Sequence, residues 1–538
     1  MNEEEHLPDS ESEPPAREGL SGGAGYVALG ILASRVIGLV RERVFAHYFG
    51  NSGAADAFRA AIRIPNVLQN LFGEGVLSAS FIPVYSGLLG KGEKAAANEV
   101  AGVIFGALAV AVAVIVAFGV SFASSLVGLI APGFSGDKRD LTIALTQIFF
   151  PGMGLLVMSA WCLGILNSHR RFFLSYAAPV FWNIVIIGTL VVAGGANDQD
   201  RLAVIAAWSV VGGSALQFLV QLPTVLKLTG KIRISLNIGL ASVRTVIRNF
   251  FPVLIGRGIV QVSAYADSLL ASLLPTGAVA ALGYVQNIYL LPIGLFGMSV
   301  SAAELPAMSQ VRGNDADVAE VLRKKLQSGL RQISYFIIPS AAVFIVLGDF
   351  VVQAVYQTGK FGTEDSLLVW KVLAAASLGL VPATLSRLYS STFYALHDTR
   401  TPLRCSIIRV TCSVILGVFG ALKLSGLLGV PPMWGLMGLT FASAVGALVE
   451  YRLLRRALFA RIGRVTIATG FFARLWIAAL AATMLSRMAI LASNLHQRFL
   501  IGAIACGLAG FGYVGLTLVL KVPEARGALG RIRRKLGR

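Results

Sequence analysis

Between Ala33 and Ser86 the chain reads ASRVIGLVRERVFAHYFGNSGAADAFRAAIRIPNVLQNLFGEGVLSASFIPVYS. Arg35, Arg41, Glu42, Arg43, Asp56, Arg59, Arg63 and Glu74 stand in this stretch, flanked by long apolar runs. An ionised side chain at the centre of a bilayer helix costs roughly 2.5–3.5 kcal/mol on insertion scales. So many together are tolerated when they line water, pair with one another or hold a charged ligand. Arginine suits phosphate, because its planar fork binds bidentately and keeps its charge when partly desolvated. The chemistry implied is non-covalent: an anionic group gripped in a polar chamber inside an apolar protein.

Arg35 and Glu42 are seven residues apart, hence within about 20° on one helical face. Arg41 lies about 120° from Arg35 on a straight helix, so the two share a cavity only if the span bends, and Gly38 between them permits that. The trio Arg41, Glu42 and Arg43 has a second reading, as a membrane-boundary cluster that snorkels outward. Two uses are also open to Asp56: an ordinary N-cap for the second span, or a cavity-facing partner for an arginine. Arg63-Ile64-Pro65 sets a cation beside a helix-kinking proline. Glu74, within Gly73-Glu74-Gly75, is a candidate proton or cation partner, or else a salt bridge to a neighbouring span.

Further along, Arg257 and Asp267 share a span with Gln261 between them, some 80° apart on the helix. Asn287 and Glu304 fall in the next span, with Arg387 and Arg409 beyond; these two arginines either pair or snorkel. Cations in both halves suit a large anionic ligand held between them, and Glu74, Asp267, Glu304 and Arg387 are the candidates for coupling or gating. No P-loop, H-E-x-x-H, Cys/His metal spacing or Asp-rich diphosphate–metal motif occurs, so neither covalent catalysis, a metal nor a cofactor is expected. Cys162, Cys405, Cys412 and Cys506 lie in or beside apolar runs and read as packing residues.

The elements that must position these residues are transmembrane helices. The chain has 538 residues, 56% hydrophobic and 14% charged, with mean hydropathy +0.74, whereas a soluble protein is about 25% charged. Apolar runs of about 20 residues, enough to cross a bilayer, recur about fourteen times. They lie near 24–47, 60–89, 100–130, 142–166, 176–195, 202–226, 250–274, 279–308, 332–356, 366–395, 403–425, 433–457, 469–491 and 499–520. In lipid, backbone groups must be satisfied within each segment, so the spans are helical.

The net charge is +19, but residues 1–20 hold seven acids and one base, a −6 tail that leaves +25 for the remainder. That surplus gathers in alternate loops: Lys91 and Lys94; His169 to Arg171; Lys227 to Arg248; Arg312 to Lys325; Arg400 and Arg404; Arg452 to Arg464. The intervening loops, such as Asn51–Ala55, Asp137–Asp140 and Lys360–Asp365, are sparse or mixed. By the positive-inside rule the rich set is cytoplasmic, and an even number of spans puts both termini there too. Basic charge placed this way argues against nucleic acid. The acidic N-terminus has no apolar signal region and reads as a disordered tail.

The chain repeats itself. Pro83/Pro306, Ser86/Ser309 and Gly90/Gly313 match at an offset of 223, and LNSHRRF at 166–172 answers ALHDTRTP at 395–402 about 228 residues on. The expected fold is an all-α polytopic membrane protein of about 14 spans, two six-helix lobes in a parallel repeat plus two C-terminal helices. The division runs 1–22 acidic tail, 23–230 first lobe, 231–249 basic connector, 250–460 second lobe, 461–522 last two spans and 523–538 basic tail. Substrate sites in such layouts lie between the lobes near the midplane.

Ser34-Arg35-Val36-Ile37-Gly38-Leu39-Val40-Arg41-Glu42, Asp56-Ala57-Phe58, Ile64-Pro65-Asn66, Gly73-Glu74-Gly75 and Phe81-Ile82-Pro83 resemble the MurJ/MviN lipid II flippases. These belong to the multidrug/oligosaccharidyl-lipid/polysaccharide exporter superfamily, and the likeness runs over 24–520. It takes in Gln217–Lys227, Tyr356–Phe361 and Asp398–Pro402, and is most specific in the first two spans. The resemblance implies a bacterial inner-membrane flippase with a cationic central cavity. It would move undecaprenyl-pyrophosphate-linked peptidoglycan precursor, lipid II, from the cytoplasmic to the periplasmic leaflet, driven by an ion gradient or the membrane potential. It further implies that the last two spans make a groove for the lipid tail.

Arg35, Arg41, Glu42 (an Asp in the family pattern) and Asp56 fall on functional positions, and Ser34, like Gln261, is a further substrate-binding candidate. Two arginines of the pattern are replaced here, by Gln69 and Asn287, and Arg63 and Arg257 are the candidates to stand in for them. The alternatives are a paralogue carrying another polyprenyl-linked glycan and a drug/cation antiporter of the same superfamily, whose cavity would favour carboxylates. A membrane glycosyltransferase would need large extracytoplasmic loops with catalytic carboxylates, and every such loop here is short.

Overall fold

The computed structural model describes residues 20–527 except 231, 236, 238, 299, 301–307, 309–314 and 494–496. The side chains of 20–29, 31, 67, 68, 74, 255–264, 298, 315–317 and 469 also lie outside the description. Most of both charged tails, and the repeat landmarks Pro306, Ser309 and Gly313, therefore fall outside it.

Apart from one 3-10 turn at Pro432–Trp434 and one π-helical turn at Ile293–Met298, the described elements are α-helices, and they come in two runs of matching order. The first run is α1 (Leu20–Phe49), α2 (Gly53–Phe72), α3 (Glu74–Gly90), α4 (Lys94–Ser121), the short α5 (Ala123–Ile130), α6 (Gly136–Ser168), α7 (Phe172–Ala193) and α8 (Gln199–Thr229). The second is α9 (Ala241–Ser272), α10 (Ala278–Pro292) with the π-turn after it, α11 (Asp315–Val346), the short α12 (Gly348–Tyr356), α13 (Thr363–Ser377), α14 (Leu380–Ala395), α15 (Arg400–Leu422), the stub α16 (Leu424–Leu428) and α17 (Gly435–Ile462). Two further helices close the chain, α18 (Thr469–Leu491) and α19 (Arg498–Val519). The short helices α5 and α12 begin 225 residues apart, α5 directly after α4 and α12 directly after α11.

Among the described residues, eleven stretches are long and apolar enough to cross a membrane, or twelve if the pair α13–α14, bent by 45°, is one span. Helices α1 and α9, 30 and 32 residues long, are long enough as well, but they carry the charges on which the sequence reading turned. Outward faces are apolar, with Val192, Phe511 and Val519 fully in contact with the surroundings. Helix α6 is the exception, its apolar stretch being 83% buried at the centre of the first run.

Three details differ from the sequence reading. The second span breaks at Gly73, not at Pro65, which α2 passes through. A Cβ at Gly73 would lie 2.1 Å from the Gln69 carbonyl oxygen, so the turn excludes a side chain. In the second run the chain instead passes into the π-turn, a geometry that recurs at functional sites. Lastly, α9 begins at Ala241, inside the connector 231–249, and Val243 and Val246 pack into the core of the first run with Phe81, Tyr85 and Trp161. The main core spans both runs, bringing Phe45, Phe49 and Phe58 together with Tyr284, Tyr356 and Phe361.

Candidate functional site

Charged side chains of α1 and α2 meet the second run of helices at two levels. At the inner level Glu42 is the hub, 5% exposed. Its carboxylate accepts from the Arg41 guanidinium at 2.6 Å, from Asn287 Nδ2 at 2.8 Å and from both terminal nitrogens of Arg59. Arg59 lies over the rings of Phe45 and Tyr284, at 4.7 and 5.2 Å from their centroids, so cation–π attraction from both runs adds to the ion pair. Two guanidinium groups on one carboxylate leave the hub with net positive charge. Arg41 is the more open of the two. It also donates to Asn183 Oδ1 at 3.1 Å and covers the Trp182 ring at 4.8 Å, yet keeps 23% of its side chain exposed.

One turn further along α2, Arg63 donates to Gln286 Oε1 of α10 at 3.0 Å, and Tyr265 of α9 donates to the Arg63 carbonyl at 3.1 Å. Arg35 is exposed and reaches the π-turn, where a Cβ on Gly294 would come within 2.8 Å of its guanidinium. Arginines of the first run thus lie along the seam against α10 and its π-turn.

At the outer level, side chains of the first run cap helices of the second. Asp56 accepts from the Gly277 and Ala280 N–H groups at 2.7 and 2.8 Å, at the N-terminus of α10, with Lys138 3.5 Å away. Arg43 donates to the carbonyls of Ala354 and Val355 at the C-terminus of α12. Acid at a helix start and base at a helix end both satisfy unpaired backbone groups and oppose the helix dipole. His47 Nδ1 meets Thr358 Oγ1 at 2.8 Å, while the Lys360 N–H donates to the His47 carbonyl at 2.8 Å. Gly277 (φ +96°) and Gly359 (φ +53°) adopt left-handed backbone here, with Asn51 and His47 packed so close that no side chain fits. This end of the seam is shut.

The structure brings Arg41, Glu42, Arg63 and Asn287 to the seam and sets Asp56 at its closed end. Asp56 does neither thing expected: Ser52 caps α2, its Oγ accepting from Ala55 N–H, and Asp56 caps α10 across the seam. Arg35 and Arg41 reach different partners, one the π-turn and the other α7. Asp267 accepts from Ser443 Oγ at 3.1 Å within the second run. Arg409 pairs with Glu450 at 3.2 Å, and Arg387 is exposed. Ser34 and Gln69 are half-buried. The side chains of Glu74, Arg257 and Gln261, and all of Glu304, lie outside the described residues.

In the sequence Arg59 counts among the charged residues without a role of its own, and there is no sign of Asn183, Trp182 or the capping role of Arg43. Arg59 had a signal: it stands four residues before Arg63, on the same face of α2. Nothing local indicated Asn183 and Trp182, which reach Arg41 from 142 and 141 positions away.

The solved structures that resemble this one are membrane transporters. A lipid II flippase MurJ in an inward closed conformation superposes with a TM-score of 0.74 at 23% identity, covering 92% of this chain and 98% of its own. An inward-facing multidrug resistance MATE family transporter of the MOP superfamily gives 0.62 at 14% identity, covering 81% and 98%. The fold is that of the MurJ and MATE transporters. The family model "Lipid II flippase MurJ" matches residues 45–509. The lipid II flippase MurJ of Burkholderia cenocepacia is 31% identical over 434 residues, covering 79% of this chain and 80% of its own. The probable lipid II flippase MurJ of Vibrio cholerae is 29% identical over 519, covering 92% and 96%. The chain belongs to the MurJ family of lipid II flippases, multi-pass membrane transporters rather than enzymes.

Proposed function

We propose that this chain carries lipid II, an undecaprenyl-diphosphate-linked glycopeptide, from the cytoplasmic to the periplasmic leaflet of the inner membrane by alternating access. The observation that supports this most directly is the convergence of Arg41 and Arg59 on Glu42, with Asn287 reaching in from the other run. A diphosphate entering from the open end would take over the exposed face of Arg41 and draw on Arg35 and Arg63. Drawn to the ligand, Arg63 would release Gln286 of the second run, while Glu42 kept Arg59 as its counterion, so the halves would loosen where the ligand binds. Contacts that form only in the loaded state are the ones that can shift a two-state equilibrium.

On this reading the halves divide near the connector 231–249, and the shut end, bearing Asp56 and Gly277, is periplasmic. The distribution of Lys and Arg between alternate loops supports that orientation and cytoplasmic termini. Helices α18 and α19 would cradle the polyprenyl tail; they pack on α11 and α12 through Ala479, Ala482, Ala505 and Ala509 and turn Leu485, Met488 and Phe511 outward. An ion gradient or the membrane potential would drive the cycle.

The test is leaflet exchange of labelled lipid II by the purified protein in vesicles. Exchange should fall at least tenfold in Arg41→Ala and in Arg35→Ala, and stay near the native rate in Lys423→Gln, far from the seam. Exchange indifferent to Arg41 would overturn the proposal.

A further inference from the structure

The loop between α6 and α7 and the loop between α14 and α15 turn alike: Arg170 has φ +58° and His397, 227 positions on, φ +59°. The helices that close the two runs, α8 and α17, both carry a base in the last turn, Lys227 and Arg461. In the second run that base has an internal counterion, since Arg461 meets Asp398 of the loop at 2.7 Å. The residue 227 positions before Asp398 is Arg171. Where the second run holds an acid, the first holds another base.

Beside the matching loop and helix end of the first run is a cavity of about 780 Å³. It lies between the ends of α3 and α8, the start of α4 and the loop 166–172. Lys94, Arg170 and Lys227 stand around it, and among the described residues that line it there is no carboxylate. Its polar lining includes Ser86, Asn98 and Asn167, and the Asn167 side-chain oxygen is buried without a hydrogen-bond partner. Three like charges around a concavity repel one another, and low-dielectric walls concentrate their field on whatever anion enters. Two ammonium groups on flexible stems and one guanidinium fork are the donors that phosphate recognition uses.

We propose that this bowl is a binding site for a phosphate-bearing anion, at the Lys/Arg-rich end of the molecule and apart from the seam between the halves. The anion supplies the countercharge that Asp398 supplies in the second run. It comes either from a phospholipid headgroup or from a soluble phosphate compound. The site stands on the geometry of the first run alone and does not depend on which lipid-linked glycan is carried.

The test uses the full-length protein in nanodiscs of phosphatidylcholine, with amine-reactive labelling of Lys94 and Lys227 read by mass spectrometry. In one arm inorganic pyrophosphate is titrated in; in the other, phosphatidylglycerol replaces part of the phosphatidylcholine. Protection of both lysines, at least fivefold against Lys423 in the same sample, is expected in one arm, and the arm identifies the source. Arg170→Gln should cut that protection at least threefold, whereas Arg41→Ala, which disables the seam, should leave it intact. Labelling unchanged in both arms would overturn the proposal, as would protection lost in Arg41→Ala and kept in Arg170→Gln.

Discussion

Gln286 accepts a hydrogen bond from the Arg63 guanidinium at 3.0 Å, and the two residues are 223 positions apart, the offset that relates Pro83 to Pro306. A residue bonds its own repeat counterpart where the axis relating the halves runs close by. Near that axis it matters little which helix supplies the charge. Arg63→Gln alone should lower lipid II exchange about tenfold or more, the order expected when a charged hydrogen bond of ~1.5–3 kcal/mol is removed. The swap Arg63→Gln with Gln286→Arg returns the cation to almost the same place and should recover exchange to within about threefold of native. A swap no better than the single change would show that the charge is needed on α2 for another reason.

Asp56 grips the start of α10, 221 and 224 positions away, through the Gly277 and Ala280 N–H groups. Removing a helix cap of this kind costs about 0.5–2 kcal/mol, and here the loss falls on the closed state alone. Asp56→Ala should therefore shift the population toward opening at this end by roughly 2- to 30-fold. Spin labels on exposed Asp137→Cys and Glu364→Cys, one on each half, would report it as a longer-distance component. A distance distribution identical to that of the labelled native protein would remove Asp56 from the closure.

Glu42 and Arg59 should behave as a coupled pair. Breaking a buried ion pair by removing one partner costs about 3–5 kcal/mol, because the other charge is left unpaired. Glu42→Gln strands Arg59 between Phe45 and Tyr284, where its Nε already has no partner. Glu42→Gln should thus lower the unfolding temperature in detergent more than the double variant Glu42→Gln/Arg59→Gln does. Additive losses in the double-mutant cycle would show that the two side chains do not hold each other.

The sequence made the architecture legible because its signals are local. Apolar runs of spanning length, bases in alternate loops and the 223-residue echo each depend on neighbouring residues or on simple spacing. The candidate site was legible in residue type: charges in α1 and α2 are too costly in a bilayer to be idle, and Arg41, Glu42 and Arg63 do reach the seam. Their pairings were not legible, although Asn287 was itself a candidate, because Asn183, Asn287 and Gln286 meet them through packing of helices 142 to 245 positions away. The uses of Asp56 and Arg43 were hidden for a related reason. Asp56 looked like a cap for its own helix and Arg43 like a boundary residue snorkelling outward, while the helix end each serves belongs to the other half. The break at Gly73 was not legible, because proline is the stronger helix breaker in isolation and drew attention to Pro65, yet the contact between Gly73 and the Gln69 carbonyl decides where the chain turns.

The loop between α14 and α15 should make stability depend on pH in one direction. The Asp398 carboxylate accepts from the Thr401 hydroxyl at 2.7 Å and the Thr401 N–H at 3.0 Å, and pairs with Arg461. These partners, Thr401 foremost, hold its carboxyl below the usual aspartate range. A carboxyl with a lowered folded value adds stability that is complete above its unfolded value, about pH 4, and is lost as pH falls through the folded value. The unfolding temperature of the native protein should therefore exceed that of Asp398→Asn by a constant margin from pH 8 to about pH 5. The margin should narrow progressively below about pH 4. High salt should trim only part of it, since Arg461 is half exposed and screened while the Thr401 contacts are short-range. A margin that widened on acidification would mean that the carboxylate is repelled in the folded loop instead of held by it.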